Sequence, residues 1–208
     1  MSFHIFIRLM QSSSAPPRLV LASASPRRRD LLQTVNVPFL VVPSEIDETP
    51  AQNEAPDLYV ARMATNKATA VISRCPGLWI LGADTIVTLD DSIFGKPENS
   101  VGALKMLTTL SGRTHDVMTA VSLIDRFGNL AMGFTVTSHV TFRALSPSEV
   151  SSYVATDEPL DKAGAYAVQG KGRALIEEVN GSLTNVIGLP MDEVGRALQN
   201  CGLIEETE

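Results

Sequence analysis

The sequence predicts an α/β fold: a mixed β-sheet with helices packed on it, and room for a second lobe that would leave a cleft. Three observations carry this. Short apolar runs alternate with helix-like segments early in the chain, which places helices against a sheet. The middle reads as a long antiparallel hairpin followed by a capped helix, enough for a second lobe beside a cleft. Hydrophobic residues make up 44% of the 208 positions and aromatics only 5%, so the core is large and aliphatic.

The elements follow in order. Arg18 to Ser23 (RLVLAS) is a short apolar run and reads as a buried strand. Ser25 is a good N-cap and Pro26 suits the first helical position, so a helix starts there and runs to about Val35. Phe39 to Val42 reads as a second strand. From Asp57 to about Ser73, Leu58, Ala61, Ala64, Ala68, Val71 and Ile72 recur at helical spacing. Trp79 to Leu89 (WILGADTIVTL) is apolar on both faces around a polar centre, which predicts a central strand or a strand pair. Asp90-Asp91 suggests a hairpin turn. Asn99 to Leu110 is helical, with Gly112 as its stop. His115 to Ile124 and Leu130 to Leu145 alternate as strands, and Arg126 to Asn129 turns between them. Ser146-Pro147-Ser148-Glu149 is a capping box that opens another helix. Asp157 to Arg173 is loop-like, Ala174 to Val179 a strand, and Pro190 to Asn200 the last helix.

Residues 1–17 (MSFHIFIRLMQSSSAPP) stand apart, and no acid precedes Asp30. They are expected to form a flexible leader, and their composition leaves organelle targeting open. Residues 18–208 are expected to form one domain of two lobes. The formal net charge of −6 argues against a nucleic-acid partner, which needs a dominant basic field. No apolar run approaches the length of a membrane span. Two cysteines without CxxC spacing predict neither a disulfide scaffold nor a zinc site, and a reduced, cytoplasmic location is the expectation.

Several polar residues exceed what a fold requires. Arg27, Arg28 and Arg29 stand at a helix start, which already carries partial positive charge. A strand, a small-residue turn with Ser23 and Ser25, and a helix N-terminus together form an anion site that a polyphosphate would fill. The plainer alternative is an exposed basic face with Ser25 as a cap. A Walker loop is excluded, because the GxxxxGK[ST] spacing is absent. Asp84 interrupts an apolar strand, where a carboxylate needs a charged partner, a metal or backbone donors. Glu45, Asp47 and Glu48 form an acidic cluster that is either solvated or a source of oxygen ligands for Mg²⁺. Lys67 lies among alanines on a helix and Lys96 between Gly95 and Pro97; each is either a solvated lysine or a site cation. In the loop from Asp157 to Gly170, Asp161, Lys162 and Gln169 are specificity candidates. The Gln169 amide has both a donor and an acceptor, as reading a base edge requires. His115 and His139 lack ligand spacing and receive no catalytic role.

Taken together these segments resemble the Maf family of nucleotide pyrophosphatases, from Arg18 to about Gly202. The likeness rests on LASASPRR (Leu21–Arg28), EIDE (Glu45–Glu48), ARMATNKA (Ala61–Ala68) and LGADTIV (Leu81–Val87). It continues through GKP (Gly95–Pro97), LSGRTHDVMTAV (Leu110–Val121) and DEPLDKAGAYAVQG (Asp157–Gly170). The resemblance implies an α/β fold with an elongated mixed β-sheet flanked by helices, in two lobes with a central cleft. It implies hydrolysis of a nucleoside triphosphate to the monophosphate and diphosphate, with Mg²⁺ or Mn²⁺ as cofactor. It implies Asp84, Lys67 and Lys96 as catalytic residues, and Glu48 with Asp84 as metal ligands. It implies Ser23, Arg27, Arg28, Thr85 and Gln169 as substrate-binding residues. Of these, Arg27, Thr85 and Gln169 match positions linked to substrate choice. The loop ending in Gln169 looks like the branch acting on dTTP and UTP, with modified pyrimidine triphosphates as further candidates. A homodimer is implied as well. Ala167, where glycine is more usual, and Leu183, where a Tyr or His is common, depart from the pattern. The alternative is a nucleotide-binding regulator of cell division without significant turnover.

Overall fold

The computed structural model describes residues 16–90 and 92–205. Most of the expected leader, and Asp91 of the expected hairpin turn, lie outside the described residues. The chain runs β1 (Leu19–Leu21), α1 (Pro26–Leu32), β2 (Phe39–Val41), α2 (Pro56–Thr69), β3 (Trp79–Leu89) and β4 (Ser92–Phe94). It continues through α3 (Ser100–Leu110), β5 (Thr114–Ile124), β6 (Leu130–Phe142), α4 (Pro147–Val154), β7 (Ile176–Asn180), α5 (Leu183–Ile187) and α6 (Met191–Asn200). Short 3₁₀ turns occupy much of the stretch between α4 and β7.

Local chemistry sets the helix ends. The Ser25 hydroxyl accepts the Arg28 N–H, and Pro26 opens α1. Asn99 caps α3 through the Gly102 N–H. The capping box at α4 is complete, with Ser146 and Glu149 bonding reciprocally. Helix α1 ends at Leu32 rather than near Val35, because β-branched Thr34 and Val35 lead into Pro38, which disfavours the helical conformation at the residue before it. Helix α2 ends at Thr69, and Ile72 sits in a separate 3₁₀ turn. Leu58 is 63% exposed, so it belongs to the outer face of α2 rather than to the apolar one.

The seven strands form one open mixed sheet in the order β2-β1-β3-β5-β6-β7, with β4 paired to β3. Strand β1 runs parallel to β2 and β3, and every other pairing is antiparallel. On one edge β3 pairs with β5 from Ile80 to Thr88. On the other, β1 pairs with Trp79–Leu81 and β4 with Val87–Leu89. Residues 82–86 therefore have no strand partner on that second edge, and the sheet parts there.

The apolar packing divides along β3. Leu81 and Ala83 pack with Leu19, Leu21, Leu189 and Leu198 at one end. Val87 and Leu89 pack with Leu107, Leu110, Phe142 and Tyr153 at the other. Between them α2 lays Tyr59, Met63 and Ala64 against Ile86 and Ala120. Gly82 permits this contact. A Cβ there would strike the Ala64 carbonyl oxygen and sit 2.7 Å from the Ala68 nitrogen. Glycine lets the helix lie against the strand, and Lys67 comes with it.

Candidate active site

Where β3 lacks its partner a cavity of about 630 Å³ opens. It gathers residues from separate segments. Ser23 comes from the turn after β1, Arg27 and Arg28 from α1, Glu48 from the segment ahead of α2, and Lys67 from α2. Asp84 and Thr85 come from β3, Lys96 from the turn after β4, and Gln169 from the loop after α4. All nine residues that the family resemblance implies as catalytic, substrate-binding or metal-ligating thus line one cavity. Asp161 and Lys162 line it too. Glu45 and Asp47 are not among its lining residues, nor is Leu183, which is 52% exposed at the start of α5.

Asp84 is buried at the centre of the open stretch of β3. Its Oδ1 lies 2.6 Å from the Lys67 Nζ, which is also 2.9 Å from the Glu48 Oε1. Lys67 is itself buried, whereas the Glu48 side chain is half-exposed. A carboxylate in an apolar strand is tolerable because an ammonium meets it on a helix held close by Gly82. Tyr59, two turns before Lys67 on the same helical face, donates its hydroxyl to the Glu48 carbonyl at 2.8 Å. Burial, and then the charges of Asp84 and Glu48, push that hydroxyl up to about 12, so it stays a neutral donor. Sequence reasoning missed Tyr59; its i, i+4, i+8 alignment with Met63 and Lys67 was the available signal.

The three arginines at α1 part company. Arg27 lines the cavity. Arg29 lies on the surface, 2.7 Å from Asp30, and takes no part in the site. Arg28 turns inward: Nε donates to the Gly188 carbonyl and one terminal nitrogen to the Ala83 carbonyl, both at 2.8 Å. Its other terminal nitrogen donates to Thr85 Oγ1 at 2.9 Å. Arg28 thereby takes up the Ala83 carbonyl, in the stretch of β3 that has no strand partner on that edge. Burial lowers its pKa; Asp84 acts against this, Arg27 adds to it, and Glu48 opposes it.

The helix N-terminus contributes less than its sequence suggests. Pro26 has no N–H, and Ser25 Oγ takes the Arg28 N–H. The positive character of this wall comes from side chains. Behind Thr85 a polar path continues: Thr85 Oγ1 meets Thr119 Oγ1 at 2.9 Å, and Thr119 donates to the Asn185 carbonyl at 3.0 Å. Asn185, fully buried on the unforeseen helix α5, donates to Val117 O and Ser138 Oγ.

Tyr166, on the far wall, was also missed. Its hydroxyl and His115 Nε2 are 2.8 Å apart, and Phe142 meets both rings edge-on. Burial, outweighing the nearby Asp116, takes the His115 pKa down to about 4, so the imidazole is neutral at pH 7. His139 pairs with Asp116 and does not line the cavity.

Among the described residues no three His, Cys, Asp or Glu side chains converge as a metal cage. Glu48 and Asp84 each turn one oxygen to Lys67 and keep the other. Two carboxylates are what Mg²⁺ takes when substrate phosphates and waters complete its shell, so the donor set fits an ion that arrives with a polyphosphate.

An open sheet whose central strand, unpaired along part of one edge, sets an acid beside a lysine, with further cations lining the cavity, defines a cleft for a highly anionic small molecule. The model of the Maf-like protein family matches residues 18–201, and the chain belongs to that family. It is 52% identical over 185 residues to the dTTP/UTP pyrophosphatase of Myxococcus xanthus, covering 89% of this chain and 93% of that one. The dTTP/UTP pyrophosphatase of Geobacter metallireducens is 44% identical, covering 90% of this chain and 97% of its own. That of Yersinia pestis is 47% identical, over 88% and 92%.

Proposed function

We propose that the protein is a nucleoside triphosphate pyrophosphatase acting on dTTP and UTP, releasing the monophosphate and diphosphate. The observation that carries this reading is the Glu48–Lys67–Asp84 ion cluster on the floor of a cation-rimmed cavity. The names of the relatives support the substrate class. A regulator that only bound nucleotide would have no use for a buried acid clamped by a lysine at the cavity floor.

In this reading Asp84 accepts a proton from the attacking water. The water oxygen bonds to the α-phosphorus as the bond from that phosphorus to the α,β-bridging oxygen breaks, and diphosphate leaves with that oxygen. Lys67 fixes Asp84 through Oδ1 and leaves its second oxygen to take the proton. Lys96 and Arg27 on the rim neutralise charge on the departing diphosphate, the main demand of phosphoryl chemistry. Arg28 contributes a fixed charge and holds Thr85 in place. Ser23 faces the phosphates, and Thr85 and Gln169 face the nucleoside. Glu48 and Asp84 would hold Mg²⁺ or Mn²⁺, which when bound polarises phosphate oxygens.

Two further expectations belong to the same reading. Cys75 and Cys201 are free, as a reducing compartment keeps them, and the cytoplasm is the location we propose. No helix of the described residues is long and apolar enough to cross a membrane. The homodimer rests on the family resemblance alone, and sedimentation of the full chain measures it.

The test is a nucleotide panel with Mg²⁺ or Mn²⁺ in which the product is resolved as diphosphate or orthophosphate. UTP and dTTP should give diphosphate and outpace purine triphosphates. Orthophosphate as first product, or tight binding without turnover, would refute the reading.

A further inference from the structure

Gln169 is exposed at the cavity edge, on a loop with little regular structure. A side chain that discriminates bases must stand in a fixed place, so something must hold the loop. Around Gln169 itself, one carboxylate gathers the bonds. Glu158 Oε1 accepts the Gly172 N–H and the Tyr153 hydroxyl, each at 3.0 Å. Glu158 Oε2 accepts the Lys171 N–H at 3.1 Å. The Tyr153 hydroxyl in turn accepts the Ala167 N–H at 3.3 Å. The bonded backbone groups therefore bracket Gln169, two positions before it and two and three after it.

The glycines here are shaped to that carboxylate. Gly170 has φ +69, and a Cβ on it would lie 2.9 Å from Glu158 Oε2. A Cβ on Gly172 would lie 2.6 Å from the Tyr153 hydroxyl and against the Ala167 carbonyl. The backbone of Glu158 holds a second part of the wall, since its carbonyl accepts from Lys162 Nζ at 2.7 Å. Burial opposes the charge on Glu158, but the Gly172, Lys171 and Tyr153 donors outweigh it and keep the carboxyl ionised below its ordinary range. Glu158 is not among the residues lining the cavity. It acts through the loop and not on the substrate.

We propose that Glu158 is a positioning residue for substrate choice: by gathering the Lys171 and Gly172 amides and the Tyr153 hydroxyl, it sets where the Gln169 amide meets the base. This rests on the reading of Gln169 as the base-facing residue of a pyrimidine triphosphate pyrophosphatase. Glu158 does not line the cavity that holds Asp84, so weakening it changes which base is preferred and leaves turnover of the bound triphosphate largely intact.

A double-mutant cycle on the full chain tests it. Glu158→Gln keeps the shape but sets an NH₂ against one of the loop donors. The ratio of kcat/KM for UTP to that for GTP should fall ~10-fold, the scale of about 1.4 kcal/mol for a displaced hydrogen-bonding group. The loss should appear in KM for UTP, with kcat within ~2-fold of wild type. In a Gln169→Ala background, Glu158→Gln should change the ratio no further, because both act through one amide. An unchanged ratio in Glu158→Gln, or the same ~10-fold loss repeated in the Gln169→Ala background, would overturn the proposal. Tyr153→Phe, which removes the hydroxyl between Glu158 and Ala167, should shift the ratio in the same direction by ~3-fold. Should Glu158→Gln not fold, an unchanged ratio in Tyr153→Phe overturns the proposal by itself. If Gln169→Ala leaves the ratio intact, the base-reading premise falls with it. If Gln169→Ala shifts the ratio and Glu158→Gln does not, only the role of Glu158 is lost.

Discussion

Asp84 and Lys67 form one contact on which both the fold and the proposed chemistry rest. Lys67 faces two carboxylates, so replacing one does not strand it. Asp84→Asn should therefore cut kcat for UTP by about two orders of magnitude or more, the scale of a missing acid–base group. Its melting temperature should stay close to wild type, because Glu48 still neutralises the ammonium. Near-normal turnover in that variant would remove Asp84 from the mechanism. His115 makes a separate statement about pH. Its pKa is near 4 in the folded protein and about 6.5 in the unfolded chain, so the unfolded chain binds more protons between those values. The contribution is complete above pH 6.5 and is lost as the pH falls to about 4, up to roughly 3 kcal/mol in all. His115→Gln should flatten the slope of unfolding free energy against pH over that window in urea titrations. Asp84 was legible in the sequence because an acid in an apolar strand demands a partner. The inward turn of Arg28 was not, because its acceptors, the carbonyls of Ala83 and Gly188, are 55 and 160 residues distant.

At the scale of elements, the contact of α2 with β3 positions the Lys67–Asp84 ion pair. Gly82→Ala would force the helix off the strand, since the added methyl meets the backbone of Ala64 and Ala68. Overpacking of this kind costs about 1–3 kcal/mol. The same displacement separates Lys67 from Asp84, so turnover should fall along with the denaturant midpoint. Destabilisation with full activity would mean that helix placement does not govern the site. These elements were readable in advance: Trp79 to Leu89 is one strand rather than a pair, α3 starts one residue after the expected Asn99, and the α4 cap sits at Ser146 as expected. Helix α5 was not, because five residues, Leu183 to Ile187, are too few to display a period. Its Ser182 cap was the one signal the chain offered.

At the scale of the molecule, β3 and β5 are each eleven residues long, and both run through the two ends of the apolar core. The ends should therefore unfold together. Trp79, the only tryptophan, reports the end built on β1, whereas far-ultraviolet circular dichroism reports the whole chain. The two signals should share one urea midpoint; separated midpoints would show that the ends open independently. The alternation of short strands and helices made the mixed sheet foreseeable. The parting of its edge was not, because it depends on β1 and β4 claiming opposite ends of one long strand, a matter of register that spacing alone does not encode.

The break between Gly82 and Ile86 divides the labour of the cavity. Its floor belongs to a ladder shared with β5, whereas much of its wall hangs from stretches that contribute nothing to that ladder. Such a wall can be exchanged as a cassette. Transplanting residues 157–173 from a relative with another base preference, Glu158 counterpart included, should carry that preference across while the hydrolytic floor persists.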